Sequence, residues 1–340
     1  MARLIKQPIA LSGTLLFLLG SLLVGIPSNA AHAAAPSAPL QIISISMGYI
    51  PNVQFAPFYV ADARGYYRSV GLHINFNYAQ APNIMQQIGS GNLDFGVAEG
   101  DQVLAGRAQG LPLVTVFTQY QRFPVVIFSL HSSGIHRFTD LRGKNVGIPG
   151  FYGASYTGLL AALNAAHLTT HDLHLTAIGY TQAQQVAQHK VDAAVGFGMN
   201  EPVLLRQQGY TVDVLPISTL APLVGPGIVT SEKIISSQSD LVRRFVQATY
   251  RAQKETNADP VGAFAIARRY MPSIAADQAP FQLAVLRAAI GYWTPPAGRG
   301  LGCSSPSDWS STAAILLAQK QIKTALNSKA AFTNQFVSGC

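Results

Sequence analysis

An internal repeat constrains the fold of this chain more than any other feature of its sequence. The segment LDFGVAEGDQVLAGRAQG at residues 93–110 can be laid over VDAAVGFGMNEPVLLRQQG at residues 191–209, with one extra residue in the second copy. Each copy reads as a strand, a polar turn with an acidic residue, and a helix that ends at glycine. The segments MGYIPNVQF and VGIPGFYGAS, which begin at Met47 and Val146, also follow one order of strand, Gly-Pro turn, aromatic loop and helix. The sequence therefore predicts two similar α/β units.

Short β-rich runs alternate with helical stretches through most of the chain, which is the pattern of an α/β fold. The first unit has predicted strands at residues 73–78, 93–98, 113–118 and 125–130, and the second at residues 145–148, 175–178, 191–197 and 212–215. From about Ser239 onward the chain is predicted to be mostly helical, because Leu241, Phe245 and Ala248 follow helical spacing.

The one long apolar run, residues 9–26, lies near the N-terminus. Arg3 and Lys6 precede it, and the small residues of Ala31-His32-Ala33 follow it, which is the order of a cleavable export signal. We therefore expect residues 1–33 to be removed. An uncleaved anchor helix is the less favoured alternative, because the small-residue site lies just beyond the apolar run.

The charge of the chain does not indicate nucleic-acid binding. Removal of the predicted signal lowers the formal charge from +8 to +6, and only Arg243-Arg244 and Arg268-Arg269 are adjacent basic pairs. Both pairs lie in helical patterns, where a solvated face is the simpler interpretation. A sequence-specific nucleic-acid-binding protein needs a stripe of basic residues or a recognition helix, and the sequence shows neither.

The two cysteines, Cys303 and Cys340, both lie in the last forty residues. An even count in an exported chain permits one disulfide, which would hold the C-terminal tail against the body. A metal site is not predicted, because the chain has no CxxC motif and its eight histidines lack HExxH or paired spacing. No cofactor is predicted either.

The candidate ligand site follows from the α/β pattern. In an open sheet, ligands bind outside the carboxyl ends of the strands, and two facing units would bring four such loops to one cleft. These loops are residues 49–55, 99–102, 150–156 and 199–201. Their content is aromatic and neutral-polar, which suits a flat heteroaromatic ligand held by ring stacking and oriented polar contacts.

The sequence lacks the motifs of common enzyme classes. It has no GxSxG elbow, Walker A loop or GxGxxG at a first helix, so hydrolase, NTPase and dinucleotide-binding functions are not indicated. Asp94 and Asp192 occupy matching positions early in their strands, and we interpret both as structural. Glu99 and Glu201 each begin a helix at the predicted cleft, where a carboxylate either caps backbone N–H groups or accepts hydrogen bonds from a ligand.

Aromatic residues supply the candidate walls of the cleft. Tyr152 and Tyr156 stand at i and i+4 beside Ser155 and neighbouring glycines, which predicts one aromatic wall with exposed amides at a helix start. Trp293 ends a long helix, and two alternatives stay open for it: packing under the tail or reaching the cleft.

Several runs carry a family resemblance: GYIPNVQFAPFYVADARGYYRSVGLHINF, GNLDFGVAEGDQVL, DLRGKNVGIPG and VDAAVGFGMNEP. Over about residues 42–290 the chain resembles the NMT1/THI5-like branch of periplasmic substrate-binding proteins. That branch includes binding components of ABC importers for thiamine pyrimidine precursors, for riboflavin and, more distantly, for sulfonates. The resemblance implies a two-lobed α/β periplasmic binding protein type II fold with the ligand in the interlobe cleft. It further implies crossings near Leu130 and Pro222, with lobe 1 built from residues 40–129 and 223–340 and lobe 2 from residues 130–222.

Matching motifs carry site residues over to this chain. Amide contacts are expected from the PNVQF and NEP motifs, a carboxylate contact from Glu201, and stacking from Tyr49 or Tyr156. The stretch TQYQRFPVVIF, which contains Tyr120, is closer to riboflavin-type members than to pyrimidine binders. The complete set of predicted ligand-binding residues is Tyr49, Asn52, Gln54, Glu99, Tyr120, Tyr152, Ser155, Tyr156, Asn200, Glu201 and Trp293.

The same family includes a thiamine pyrimidine synthase, which is the rival hypothesis. Where the synthase has a reactive histidine this chain has Phe55, and its CCCFC motif has no counterpart among the two cysteines here. A sulfonate ligand is less favoured, because Arg122 is the one charged donor expected near the cleft. The prediction is therefore a monomeric, non-enzymatic extracytoplasmic protein that binds a small heteroaromatic ligand and delivers it to the permease subunits of an ABC importer.

Overall fold

The strands of the protein form two mixed sheets of five strands each in the computed structural model, which describes residues 39–78 and 84–340. The predicted export signal, residues 1–33, lies outside the described residues. The strands are β1 (Gln41–Ser46), β2 (Leu72–Asn77), β3 (Phe95–Ala98), β4 (Leu113–Phe117), β5 (Val125–Leu130), β6 (Asn145–Ile148), β7 (His174–Ala177), β8 (Ala193–Phe197), β9 (Val212–Pro216) and β10 (Gly227–Ser231).

Helices cover the faces of both sheets. They are α1 (Ala56–Ala63), α2 (Tyr66–Ser69), α3 (Ile84–Ser90), α4 (Gly100–Ala108), α5 (Gly153–Ala165), α6 (Gln182–Ala187), α7 (Glu201–Gln207), α8 (Glu232–Ser237), α9 (Ser239–Ala258), α10 (Pro260–Ala267), α11 (Ala279–Trp293) and α12 (Pro306–Ala318). The predicted helical C-terminal region is confirmed. Within the described parts of the chain, no helix has both the length and the apolar character needed to cross a membrane.

The two sheets share one topology. The strand order is β2-β1-β3-β10-β4 in the first sheet and β7-β6-β8-β5-β9 in the second. In each sheet the first three strands are parallel, and the fourth, β10 or β5, runs antiparallel to both of its neighbours. The prediction of two similar α/β units is confirmed.

All eight strands predicted from the sequence are present, with bounds within two residues. Most of them are found because continuous apolar runs, as in β4 and β5, are typical of strands that are buried on both faces. In β5, for example, Val125 and Ile127 pack into one core cluster and Val126, Phe128 and Leu130 into another. Strand β10 was not predicted, because its short apolar run follows a Pro- and Gly-rich stretch that reads as a loop.

The pairing of strand β5 shows where the chain passes from one sheet to the other. The division implied by the resemblance assigns residues up to 129 to lobe 1, yet β5 pairs with β8 and β9 in the second sheet. Since β5 and β10 occupy equivalent positions, each is the strand that follows a crossing. We propose to move the crossings to residues 118–124 and 217–226, so that lobe 1 comprises residues 39–117 and 227–340 and lobe 2 comprises residues 125–216.

Two matched aspartates tie neighbouring strands together at the ends remote from the loops of the predicted cleft. An Oδ2 atom of Asp94 accepts a hydrogen bond of 3.0 Å from the backbone N–H of Ser44, which lies on β1. In the second sheet Asp192 accepts one of 2.8 Å from the backbone N–H of Asn145 on β6. The structural interpretation of both aspartates is confirmed.

A disulfide joins Cys303 to Cys340, 37 residues apart in the sequence. The tail that it closes also hydrogen-bonds to the body: the backbone N–H of Thr333 donates to the carbonyl of Thr115 on β4 over 2.9 Å. The predicted attachment of the C-terminal tail is therefore present in the structure.

Candidate functional site

A cavity of about 690 Å³ lies at the carboxyl ends of the parallel strands of both sheets. Its walls come from the loops after β1, β3, β6 and β8, which are the four loops that the sequence predicts, and from a fifth loop after β7. Residues of α3, α4 and the start of α5 also line it, together with the segments at residues 109–111, 119–120 and 226. This is the position at which open α/β sheets hold their ligands.

Nine of the eleven predicted site residues line this cavity: Tyr49, Asn52, Gln54, Glu99, Tyr120, Tyr152, Ser155, Asn200 and Glu201. The structure thus brings together residues that are up to 152 positions apart in the sequence. Their role toward a ligand remains a prediction. Trp293 and Tyr156 lie outside the lining.

Trp293 and Tyr156 are placed by packing. Trp293 is fully buried, and its ring stands edge-on to that of Tyr120 with centroids 5.9 Å apart, so that it supports a cavity residue from behind. Tyr156 packs against the core of lobe 2. The prediction that Tyr152 and Tyr156 form one wall is wrong. Helix α5 begins at Gly153 and Tyr152 has extended backbone angles, so the two side chains do not have the i, i+4 geometry of a helix.

Three side chains form a hydrogen-bond chain that joins the two lobes. The hydroxyl of Tyr120 donates to Oε1 of Gln54 over 2.8 Å. Nε2 of Gln54 then donates to Oδ1 of Asn200 in lobe 2 over 3.0 Å. The side chain of Asn52 accepts from the backbone N–H of Gln54 over 2.9 Å and so fixes this turn. The Gln54–Asn200 hydrogen bond is called the amide bridge below.

Two carboxylates line the cavity in different ways. Glu201 accepts a hydrogen bond of 2.8 Å from the backbone N–H of Phe197, which ends β8 and precedes α7, so this bond ties the carboxylate to the strand and does not cap the helix. Glu99 begins α4, and its own N–H donates to the side chain of Gln102 over 3.4 Å. Burial, and after it the neighbouring Asp101, raises the pKa of Glu99 to about 7. Burial also raises the pKa of Glu201. Both acids therefore sit where an unpaired negative charge is costly.

Three tyrosines stand exposed around the cavity. Tyr49, Tyr152 and Tyr180 expose 41%, 68% and 73% of their surface, an unusual amount for large aromatic residues. Tyr180 was not predicted, although the strand before it was. The rule applied to the other loops, that residues after a parallel strand face the cleft, would have found it.

A group of glutamines was not among the predicted site residues, although one of them, Gln102, lies in the predicted loop 99–102. These neutral amides line the cavity beside the predicted residues: Gln86, Gln102, Gln109, Gln119 and Gln182. Glutamine is a common surface residue, and no motif sets these five apart in the sequence.

No basic group is found among the described residues that line the cavity. Among the described lining residues the charged side chains are those of Glu99 and Glu201, with no Lys, Arg or His. Arg122, the candidate donor for an anion, is exposed outside this lining. Phe55 does line the cavity, where it offers no group that exchanges a proton.

The fold is that of a two-lobed periplasmic binding protein of type II, and the comparison with solved structures agrees. The periplasmic aliphatic sulphonate-binding protein SsuA of Escherichia coli superimposes with a TM-score of 0.69 at 17% identity, covering 86% of this chain and 97% of the other. At this identity the likeness concerns the fold alone.

The sequence comparisons give the family. The model described as NMT1/THI5 like matches residues 52–263, so the chain belongs to the NMT1/THI5-like family. It is 37% identical to the riboflavin-binding protein RibY of Chloroflexus aurantiacus over 92% of this chain and 93% of the relative. It is 25% identical to the 4-amino-5-hydroxymethyl-2-methylpyrimidine phosphate synthase of Legionella pneumophila, over 68% of this chain and 74% of the relative. The chain is thus a solute-binding protein of this family and more distant from its enzymes.

Proposed function

We propose that this protein is the extracytoplasmic binding component of an ABC importer and that its ligand is riboflavin. The observation that carries the proposal is the make-up of the cavity: exposed tyrosines at its edge, neutral amides within it, and no basic group among its described lining residues. The 37% identity to a riboflavin-binding protein over most of both chains supports the same ligand.

The size of the cavity favours a flavin over a single-ring pyrimidine. Its volume of about 690 Å³ falls within the range of roughly 300–1,000 Å³ that is usual for small-molecule sites. The three fused rings and ribityl chain of riboflavin would occupy much of this space. A lone pyrimidine ring would leave most of it to water and would forgo stacking on more than one side.

The lining residues offer a contact for each part of riboflavin. Tyr49, Tyr152 and Tyr180 offer ring faces to the flat isoalloxazine. The amides of the bridge, Gln54 and Asn200, offer donors and acceptors to the polar edge of the ring, which carries carbonyl oxygens and one N–H. The neutral glutamines around them can hydrogen-bond the ribityl hydroxyls without adding charge.

The charge of the cavity opposes anionic ligands. A sulfonate or a phosphate ester would enter a site whose described lining has two carboxylates and no cation to pair with, and desolvating an unpaired charge is costly. Riboflavin is neutral at pH 7, whereas flavin mononucleotide carries a phosphate. We therefore expect the site to select riboflavin against its own phosphate ester.

The amide bridge supports a hinge mechanism. Because the bridge joins the two lobes beside the cavity, it stabilises their closed arrangement, in which water is excluded from a bound ligand. The closed surface would then be presented to the permease. Export by residues 1–33 gives the location, and a monomer is the expected form.

Isothermal titration of the tag-free mature protein with four ligands tests the proposal. Riboflavin should bind one to one, and flavin mononucleotide, hydroxymethylpyrimidine and taurine each at least tenfold more weakly. Tyr152→Ala should weaken riboflavin about 2- to 12-fold, the value of an aromatic contact worth about 0.5–1.5 kcal/mol. The matched control is Tyr210→Ala, a tyrosine exposed outside this lining. If hydroxymethylpyrimidine or taurine binds more tightly than riboflavin, the assignment of riboflavin as the ligand is wrong.

Export can be tested separately. Mass spectrometry of protein secreted by a bacterial host should give a chain that begins after Ala33. A full-length chain retained in the membrane fraction would contradict the export signal and leave the ligand assignment untouched.

A further inference from the structure

Two histidines and an aspartate meet on the surface of lobe 2. Nδ1 of His131 and Nδ1 of His136 each lie 3.0 Å from the same Oδ2 atom of Asp213. The three atoms lie within 4.8 Å of one another. Among the residues described, this is the one cluster of three or more His, Cys, Asp or Glu side chains with such spacing.

Regular structure holds each member of the cluster in place. His131 follows β5 directly, and its backbone N–H donates to the carbonyl of Thr211 over 2.9 Å. Asp213 lies on β9, paired with Ser129 of β5. The backbone N–H of His136 donates to the side chain of Asp140 over 3.0 Å. The cluster is therefore built on two adjacent strands and a short turn.

The cluster is far from the cavity. Val125, at the start of β5, pairs with Phe197, which lines the cavity. His131 lies six residues further along, which corresponds to about 20 Å at roughly 3.3 Å per residue. A ligand at the cluster would therefore not touch a ligand in the cavity, and neither proposal depends on the other.

The donor set and its geometry suit a divalent transition-metal ion. Imidazole nitrogen and carboxylate oxygen bind Zn²⁺ at about 2.0–2.2 Å, which places tetrahedral ligands roughly 3.3–3.5 Å apart. The observed nitrogen–oxygen distances of 3.0 Å need to widen by only a few tenths of an ångström. The side chains of His131, His136 and Asp213 are 62%, 54% and 26% exposed, so an ion can reach them and water can fill the fourth position.

From this geometry we infer that His131, His136 and Asp213 form a surface binding site for Zn²⁺ or a similar divalent transition-metal ion. On binding, each neutral imidazole gives its Nδ1 lone pair to the metal and carries its one ring proton on Nε2, so metal–ligand bonds replace the contacts between the imidazoles and Asp213. The positive charge of the nearby Arg137 guanidinium would oppose a bound cation, but it is compensated by an ion pair with Asp140 at 2.9 Å. The sequence did not predict this site, because Asp213 is more than 75 residues from both histidines.

Titration of the tag-free protein with zinc chloride, followed by calorimetry, tests the site. One equivalent should bind saturably, and His131→Ala, His136→Ala and Asp213→Asn should each weaken it at least tenfold. The matched control is His174→Ala, which removes an exposed histidine of β7 at the opposite edge of the same sheet and should leave the affinity unchanged. Zinc binding that is missing, or that survives all three substitutions, overturns the inference and leaves a hydrogen-bonded trio without a metal.

A second measurement covers variants that fail to fold. X-ray absorption at the zinc edge of the loaded unmodified protein should show two imidazole ligands and oxygen ligands in the first shell. A first shell with a single imidazole, or with oxygen only, would contradict the site whatever the variants do.

Discussion

Replacing Asn200 by alanine removes the oxygen that accepts a hydrogen bond from Gln54 across the two lobes. The loss of one hydrogen bond between neutral groups costs about 0.5–1.5 kcal/mol. If the amide bridge stabilises the closed arrangement, Asn200→Ala should weaken riboflavin binding about 2- to 12-fold.

Replacing Gln54 by alanine removes two side-chain hydrogen bonds, whereas Asn200→Ala removes one. The side chain of Gln54 also accepts from the hydroxyl of Tyr120, which is 5% exposed and would be left without that acceptor. Leaving a buried polar group unpaired costs about 1–3 kcal/mol, so Gln54→Ala should lower the unfolding free energy by about that much, while its effect on riboflavin binding should be similar to that of Asn200→Ala. The double variant should be little worse than Gln54→Ala alone, because the bridge can be lost only once.

Flavin fluorescence, which ring stacking quenches, gives the dissociation constants for this double-mutant cycle. The matched control is Asn257→Ala, which removes the acceptor of an amide–amide hydrogen bond of 2.9 Å from Gln253 within α9, away from the cavity. Additive effects of the two bridge substitutions, or an equal loss in the control, would refute the reasoning that the bridge itself favours the ligand-bound form.

Three further predictions concern pH and stability. The folded state keeps a proton on Glu99 over a pH range in which the unfolded chain releases it. The unfolding free energy should therefore fall as pH rises from about 4.5 to about 7, by at most about 3.4 kcal/mol. Glu99→Gln should remove this part of the slope. Gly302→Ala should destabilise by about 1–3 kcal/mol more than Gly298→Ala, because both have φ near +80° but only at Gly302 would the new Cβ meet another side chain, 2.2 Å away. Replacing Cys303 and Cys340 by serine should cost about 3–4 kcal/mol, since the unfolded chain loses a long closed loop.

Chemical denaturation checks all three. An unfolding free energy that rises between pH 4.5 and 7 would contradict the first prediction, and so would a pH slope that is unchanged in Glu99→Gln. The pKa values of Asp101 and Glu201 are also raised, so these two acids contribute to the fall in the unmodified protein and in the variant alike. Equal losses for the two glycine variants would contradict the second. A serine variant as stable as the oxidised protein would contradict the third.

Most strands were predictable from the sequence because strands that are buried on both faces, such as β4 and β5, carry continuous apolar runs. The position of the first crossing between the lobes was not predictable from the sequence. The sequence of β5 is equally consistent with the last strand of lobe 1 and the first strand of lobe 2, and only its pairing with β8 and β9 assigns it to lobe 2. Strand β10 was hidden by the Pro- and Gly-rich context from which it emerges.

The candidate site was predictable where a strand end could be recognised. Asn52, Glu99 and Asn200 follow such ends and line the cavity. Tyr156 and Trp293 were misplaced or left open, because whether an aromatic ring faces the cavity or the core depends on tertiary packing. The His131–His136–Asp213 cluster depends on strand pairing, which no local pattern reveals.

A crystal structure of the mature protein with riboflavin tests the central claim most directly. The isoalloxazine ring should lie in the cavity between the lobes, with a tyrosine ring centroid of the exposed trio about 4.5–7 Å from its own and with Gln54 or Asn200 within hydrogen-bond distance of its polar edge. A flavin bound elsewhere, or a cavity that stays free of flavin at saturating concentration, would contradict the account.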